Sequence, residues 1–378
     1  NGPSGAAGSP DGKAAKPPSA MTGPSALTLA IETSCDDTCA AVADGCAILS
    51  NVVASQSGHE RFGGVVPEIA ARSHLLQVGP VIDEALAEAA VTLDDIGRVA
   101  VTAGPGLVGA LLIGVQTAKA MAAARDLPLV AVDHLHGHIA ANFATTIAPS
   151  PQGEWREKAP IGAVARHSTC VEPPFLCLVV SGGHTFLAVV EGYGPDDWRT
   201  IGQTLDDAAG EAIDKAARML GLGFPGGPGL QRLAEAGDPH AFRLPTADGV
   251  RGLDFSFAGL KTALLYTIRD LGEAEAARRG PDLAASFQHA VVEQLARRTE
   301  RALEQTGLQR LAIGGGVAAN GPLRERMGGL GVPCTIPPHA LCTDNAAMIA
   351  CAAEFTEPLT RQRALELEVR PTGTAAGR

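Results

Sequence analysis

The sequence predicts an α/β protein of two domains related by internal duplication, with a cleft between them. Three observations carry that expectation. At 378 residues with 46% hydrophobic content, the chain can bury a large core, and its length favours two domains over one. Rich in Ala, Gly and Val and only 4% aromatic, it suits parallel strands under closely packed helices better than an all-β sandwich. Finally, an apolar run, a short polar turn and a second apolar run occur in that order once in each half.

Taken along the chain, residues 1–20 are rich in Gly, Pro, Ala and Ser and carry two lysines but no arginine. They fit neither a secretory signal nor an Arg-rich transit peptide, so a disordered tail over 1–26 is expected, with Met21 as a candidate natural start. Leu27–Glu32 and Cys39–Ala43 flank the polar stretch Thr33–Thr38, which is a hairpin signal. Val99–Ala103 enters Gly104-Pro105-Gly106, Leu107–Ala124 has the length of a helix, and Pro128–Val132 reads as a second strand, a right-handed crossover if the two strands are parallel. Leu107–Ala124 is the most apolar stretch, but Gln116, Lys119 and its small residues mark a buried helix rather than a membrane span. Periodicity disappears from Thr145 to Pro174, as in a long surface loop near a domain connection.

The opening theme then returns as Phe175–Val180, the turn Ser181–Thr185 and Phe186–Val190. A helix is expected over Asp206–Leu220, followed by the Gly/Pro cluster Gly223–Gly229, an amphipathic helix over Leu283–Thr306, and a strand, glycine turn and helix from Leu311 through Asn320. The expected organisation is a first domain over 27–140 completed by 345–360, a second over 141–344, and a tail over 361–378.

The formal net charge is −11, so no large phosphate-binding face is advertised and any nucleic-acid contact is local or assisted. Eight cysteines, at 35, 39, 46, 170, 177, 334, 342 and 351, contain no C-x-x-C pair, and several sit in apolar runs as small hydrophobes. That usage implies a reducing, cytoplasmic setting, without membrane association.

The turns Thr33–Thr38 and Ser181–Thr185 offer hydroxyls and closely spaced amides, which suit a phosphate or carboxylate. One such turn would be ordinary. Two, one per half, suggest the duplicated actin, Hsp70 and sugar-kinase (RNase H-like) architecture with a nucleotide in the inter-domain cleft. Gly314–Ala319 also fits a loose dinucleotide pattern, but no further strand–helix unit with an acidic ribose-binding residue follows; in the duplicated fold the same turn would let Asn320 reach a nucleoside. His134-Leu-His-Gly-His138 places two imidazoles at i, i+4 on one helical face, a chelating spacing, with His136 pointing away as a supporting or surface group. A third ligand is needed, and Asp344 supplies a candidate carboxylate; a helix N-cap explains an Asp there equally well. Asp207, Glu211 and Asp214 fall near one helical face, suited to polar substrate groups or simply solvated. Arg297, Arg298 and Arg301, offset by Glu293, Glu300 and Glu304, read as a solvated face.

Read together, Ile31-Glu-Thr-Ser-Cys-Asp-Asp-Thr38, Gly63–Glu68, Thr102–Gly109, His134-x-x-x-His138, Val180–Thr185, Asp206–Glu211, Phe255–Lys261 and Cys342–Asn345 resemble the bacterial tRNA N6-adenosine threonylcarbamoyltransferase family, over roughly Leu27 to Ala353. The resemblance implies transfer of threonylcarbamoyl from threonylcarbamoyl-adenylate to N6 of adenosine 37 in tRNAs reading codons that begin with A, releasing AMP. By motif match it implies one divalent metal ion, iron in this family with zinc as the alternative, on His134, His138 and Asp344. The adenylate would lie against Val179, Val180, Ser181, Gly182, Gly183, Asp214, Gly227 and Asn320, with Asp36 as the candidate catalytic base. It further implies partner subunits, a paralogous actin-like chain and a small ATPase, that help present the tRNA.

The family's dyad reads His-x-Glu-Gly-His, and here His136 stands in the middle position. The rival readings are a metal-dependent glycoprotease, an ATPase or small-molecule kinase of the same fold, and a scaffold subunit. A helical zinc peptidase needs H-E-x-x-H with Glu as general base, and Leu135 stands in that place.

Overall fold

The computed structural model describes residues 26–62, 64–146, 171–247 and 249–371. The expected N-terminal tail through residue 25 and most of the expected 145–174 loop lie outside them. The first sheet is built from β1 (Leu27–Glu32), β2 (Asp37–Asp44), β3 (Ala47–Ser55), β4 (Ile96–Gly104), β5 (Leu129–Asp133) and β6 (Thr145–Thr146), in the order β5-β4-β1-β2-β3-β6. The second contains β7 (Phe175–Val180), β8 (Thr185–Val190), β9 (Trp198–Gln203), β10 (Leu311–Gly314) and β11 (Cys334–Thr335), in the order β11-β10-β7-β8-β9. In each sheet the two leading strands are parallel to a central strand, which then continues into an antiparallel three-stranded meander. The two halves therefore share one strand order and one set of directions, and the first adds β6.

α1 (Pro67–Glu88), α2 (Val108–Arg125) and α3 (His134–Ala140) belong to the first half. α4 (Ala209–Met219), α5 (Gly226–Ala234), α6 (Ala258–Leu271), α7 (Glu273–Arg278), α8 (Gly280–Thr306) and α9 (Gly321–Gly328) follow in the second. α10 (Ala346–Glu354) and α11 (Arg361–Leu365) close the described chain.

Strand alternation explains the layering, because successive side chains leave opposite faces of a sheet. On the first sheet Leu29, Ile31, Ala40 and Val42 meet Val78, Ile82, Val115 and Ala118 of α1 and α2. The alternate residues Ala30, Cys39 and Ala41 join Ile139 of α3 and Met348 and Ile349 of α10. On the second sheet Leu176, Leu178 and Ile313 pack against α4, α6 and α8, as seen in Ala212, Leu260 and Leu295. There too the alternate residues Phe175, Cys177, Val179 and Ala312 turn to the α3 and α10 cluster. Helices α3 and α10 thus form a central layer between the sheets, which places His134, His138 and the residue before Asn345 at the junction of the halves.

The structure corrects three local expectations. The first hairpin is longer than the sequence suggests, since β3 adds a third strand to it. α4 starts at Ala209 rather than Asp206. The Asp206 carboxylate is committed elsewhere, accepting from the amides of Phe257 at 2.7 Å and Ala258 at 3.2 Å at the start of α6, a local side-chain bond that competes with continuing a helix. The Arg helix is not simply solvated: Arg298, 5% exposed, donates to the carbonyls of Asp254, Ala247 and Val250 at 2.8–3.0 Å and pins the 247–254 connection. After α10 the chain returns to the first sheet, where the amide of Leu359 donates to Leu129 O at 2.8 Å and that of Arg370 to Ala103 O at 2.8 Å.

Candidate metal centre and ligand cleft

β5 leads directly into α3 through Asp133, whose Oδ1 caps the helix by accepting from the amides of Leu135 at 2.8 Å and His136 at 3.2 Å. Its other oxygen receives Arg370 at 2.7 Å. With the first turn fixed, the i, i+4 spacing stacks His134 and His138 edge to face, ring centroids 4.7 Å apart. Asp344 meets them from the start of α10: its Oδ1 lies 3.6 Å from His134 Nε2 and 3.3 Å from His138 Nε2. The helix-cap reading of Asp344 is excluded, because Asn345 is the cap, its Oδ1 accepting from Met348 N at 2.9 Å. One ligand atom from each of His134, His138 and Asp344 lies within 4.8 Å of the others.

The surroundings fit a cation. His134 Nδ1 is 3.0 Å from Glu32 Oε2 and 3.2 Å from Ser34 Oγ, while Glu32 also accepts from Thr102 Oγ1 at 2.6 Å and from the amide of Ser34. A carboxylate behind an imidazole fixes the tautomer and aims Nε2 forward. Both ring nitrogens of His138 are buried, and among the described residues Nδ1 has no hydrogen-bond partner while Nε2 has only its 3.3 Å contact with the Asp344 carboxylate. Buried nitrogens so poorly paired carry a desolvation cost that a bound cation removes at Nε2. Two imidazoles and a carboxylate make a donor set for iron or zinc that leaves coordination positions open. Asp344 keeps 24% side-chain exposure, so the cluster reaches solvent on that side.

Burial pushes His134 down, but the Asp344 and Glu32 carboxylates outweigh it and raise the imidazole to about 9. Burial likewise opposes the charge on Asp344, and the imidazoles of His134 and His138 overcome it, holding the carboxyl well below its usual range. A cation entering the metal-free cluster must therefore displace a proton.

Two turns face this centre. The first, between β1 and β2, is tightly tied: Thr33 Oγ1 donates to Ala110 O at 2.9 Å, Ser34 O accepts from Leu107 N at 2.8 Å, and Cys35 O lies 3.0 Å from His74 Nε2. Asp36 sits here, its charge felt by Asp214 of the other half. Neighbouring Asp37 is raised to about 7 by burial, assisted by the Asp344 and Asp36 charges against a hydrogen bond from Ser55. The second turn, between β7 and β8, is open. Gly182 and Gly183 are exposed, and a Cβ on either would meet nothing within 4 Å. Gly210 of α4 lies so close to Ser181 O and the Gly182 backbone that a side chain has no room there, which aims the helix N-terminus at the turn.

The remaining expected ligand residues divide. Ser181 closes its own turn, its Oγ accepting from His184 N at 3.1 Å. Val179 and Val180 are 0% exposed and Ser181 is buried, so of residues 179–183 only Gly182 and Gly183 are exposed. Asp214 accepts from Gly226 N at 2.7 Å and from Gly227 N, which joins it to the expected Gly227 but occupies its carboxylate in shaping the start of α5. Asn320 caps α9, Oδ1 to Leu323 N at 3.0 Å, and its Nδ2 donates to Gln231 and Gln288, each at 2.9 Å. Asp207 and Glu211 are paired with lysines rather than free: Lys215 reaches both, and Lys261 reaches Asp207 at 2.7 Å.

The sequence reading missed Glu32 and His184. Glu32 had a signal, a carboxylate ending an apolar strand, since buried Glu is rare without a partner. His184 lies beside the cluster, its ring centroid 6.4 Å from that of His134. Burial and the neighbouring imidazoles of His134 and His138 push it down to about 4. His136 is not a surface group: it is 1% exposed and its Nε2 donates to Tyr193 O at 3.0 Å, fastening α3 to the β8–β9 connection. Leu135, partly buried against the central layer, leaves no general base where a helical zinc peptidase has one. Among the described residues no helix is long and apolar enough to cross a membrane.

A family model described as tRNA N6-adenosine threonylcarbamoyltransferase matches residues 47–152 and 161–351. A protein of that name from Pelobacter propionicus is 49% identical over 357 residues, covering 92% of this chain and 96% of the relative. Another of the same name from Symbiobacterium thermophilum is 50% identical over 335 residues, 87% of this chain and 91% of the relative. Among solved structures, HypF of T. kodakarensis superposes with a TM-score of 0.54 at 14% identity, over 87% of this chain and 47% of that one. Component A of the Acidaminococcus fermentans (R)-2-hydroxyglutaryl-CoA dehydratase does so with 0.51 at 15%, over 90% of this chain and 100% of that one. At such identities these likenesses concern the fold, which is the duplicated α/β architecture the two hairpins suggested.

Proposed function

This chain belongs to the tRNA N6-adenosine threonylcarbamoyltransferase family, and on that premise we propose that it moves threonylcarbamoyl from threonylcarbamoyl-adenylate to N6 of adenosine 37 in tRNAs reading codons that begin with A, releasing AMP. The observation that carries the site assignment is the buried convergence of His134, His138 and Asp344, with Asp344 Oδ1 within 3.6 Å of both Nε2 atoms, beside a glycine turn with open space in front of it.

When bound, a cation, iron in our reading, supplies a Lewis-acid point that orients the threonylcarbamoyl group and polarises its carbonyl. His134, aligned by Glu32, and His138 hold it from the first half, and Asp344 from the junction. The amides of Gly182 and Gly183, with Ser181 closing the turn and the N-terminus of α4 behind them, suit the adenylate phosphate. Gly227 and the turn before Asn320 border the nucleoside, Asp214 and Asn320 acting through the backbone they shape. Holding both reactants in one cleft supplies most of the rate, and Asp36 is the proposed base for the proton that N6 gives up.

With a net charge of −11, the chain needs help to hold tRNA. The proposed help is a paralogous actin-like subunit and a small ATPase, in the cytoplasm. Exposed Leu75 and Leu76 on α1 and Val108 and Leu112 on α2 offer apolar surface for such a partner. The test is to incubate the metal-loaded chain and those partners with unmodified tRNA and synthetic threonylcarbamoyl-adenylate, then assay the nucleosides by mass spectrometry. Modified adenosine at position 37 is expected, and its absence with wild-type protein would overturn the assignment.

A further inference from the structure

Resting on that transferase reading, we propose that His184 contacts the transferred group, hydrogen-bonding the carbamoyl oxygen from the second half of the molecule. Its ring centroid stands 6.4 Å from that of His134 at an interplanar angle of 50°, facing the cluster without belonging to the three-residue ligand set. Its backbone cannot swing away: the amide of Ser181 donates to His184 O at 2.8 Å, and His184 N donates to Ser181 Oγ at 3.1 Å.

The side chain itself makes no hydrogen bond to any described residue. By contrast His136, packed at the junction of the halves, spends its Nε2 on Tyr193 O at 3.0 Å. His184 instead directly follows Gly182 and Gly183, where an added Cβ would meet nothing within 4 Å, and its ring stands beside the metal cluster. A half-buried ring with an unspent N–H in that place is suited to a ligand acceptor.

The reaction needs such a donor. The N6 lone pair forms a bond to the carbonyl carbon, and the bond from that carbon to the phosphate oxygen breaks with its electron pair leaving on AMP. One proton passes from N6 to the base proposed at Asp36. Negative charge gathers on the carbonyl oxygen as the new bond forms, and a preplaced N–H facing it stabilises that charge more than the ground state.

The experiment compares three variants, each metal-loaded and assayed with the partner subunits, tRNA and synthetic threonylcarbamoyl-adenylate. His184→Ala removes ring and donor, His184→Phe keeps the volume without a donor, and His184→Gln restores an N–H. Loss of one oxyanion donor costs roughly 10²–10³ in kcat, so Ala and Phe are expected to fall by about that factor. Gln should recover at least tenfold of it, with KM for the adenylate and metal content near wild type. Wild-type kcat in His184→Phe would overturn the proposal, as would equal losses in Phe and Gln, or a loss that tracks missing metal. Should Ala fail to fold, the Phe and Gln pair decides alone. Wild-type protein that transfers nothing would instead overturn the function it rests on.

Discussion

The two hairpin turns occupy equivalent places in the duplicated sheets and have diverged in opposite directions. In the first, Thr33, Ser34 and the Cys35 carbonyl are spent on internal bonds to α2, the β4–α2 turn, His134 and α1. In the second, two exposed glycines face open space and the His184 ring stands beside the cluster without a hydrogen bond to any described residue. The first turn is tied to three other elements, which suits holding the ligand cluster in place; the second is closed only on itself and α4, which leaves its two glycines open to a ligand. On the proposed function the duplication divides the labour: the first half would aim the metal ligands and the second would present the substrate.

The largest effect expected from that division is at the junction. Asp344→Ala should abolish stoichiometric metal binding and lower transfer by three orders of magnitude or about that, while Asn345→Ala, one residue on, should only weaken α10 by roughly 1 kcal/mol through its lost cap. Metal analysis and denaturant unfolding separate the two. An Asp344→Ala protein that keeps its metal would remove the carboxylate from the ligand set. Next comes Glu32→Gln, which keeps the shape behind His134 but not the charge. Losing such an outer carboxylate costs about 10–100-fold in metal affinity, so transfer should fall and be restored by excess metal; a loss that excess metal cannot restore would give Glu32 a different role.

A smaller effect is in pH. Because His134 is raised to about 9 in the metal-free cluster, a cation competes with its proton below that value. Apparent metal affinity should climb by up to about tenfold per pH unit from pH 7 to near 9 and flatten above, as linkage to one proton requires. The metal-free protein should show the converse. A folded-state value above the ordinary 6.5 contributes stability that is complete below pH 6.5 and lost as pH rises through 9, so its unfolding midpoint should drop over that window while the metal-loaded protein's holds. A pH-independent affinity from 7 to 9 would mean the ring is already neutral.

Much of this was legible in the residues. Both hairpins, the β4–α2–β5 unit and the histidine pair follow from apolar runs, glycine punctuation and helical spacing, all local signals. What failed was non-local. Asp206 reads as the start of a helix but spends its carboxylate on α6, some fifty residues on. Arg298 reads as solvated on a charge-balanced helix, yet three carbonyls of a distant connection surround it. Asp344 was equally a cap or a ligand until its neighbour Asn345 was seen to do the capping. Glu32 was quoted within a motif without a role, because its partner His134 lies 102 residues away.

The division between the turns can be tested most directly with two glycine-to-alanine changes that differ only in which turn they address. In Gly114→Ala the new methyl lies within helix α2, where Ala is intrinsically favoured by about 1 kcal/mol. It collides, however, with Thr33 Oγ1, a fully buried hydroxyl already bonded to Ala110 O. Overpacking of that kind costs about 1–3 kcal/mol, so a net destabilisation of roughly 1 kcal/mol is expected in denaturant unfolding, with little change in KM for the adenylate. In Gly183→Ala the methyl meets no atom within 4 Å and the backbone is not in the left-handed region, so stability should stay within about 0.5 kcal/mol of wild type. If the space before the turn is where the adenylate lies, that methyl intrudes on the ligand instead, and KM should rise several-fold. The opposite pattern, a stable Gly114→Ala with raised KM beside a destabilised Gly183→Ala that binds normally, would exchange the roles assigned to the two turns.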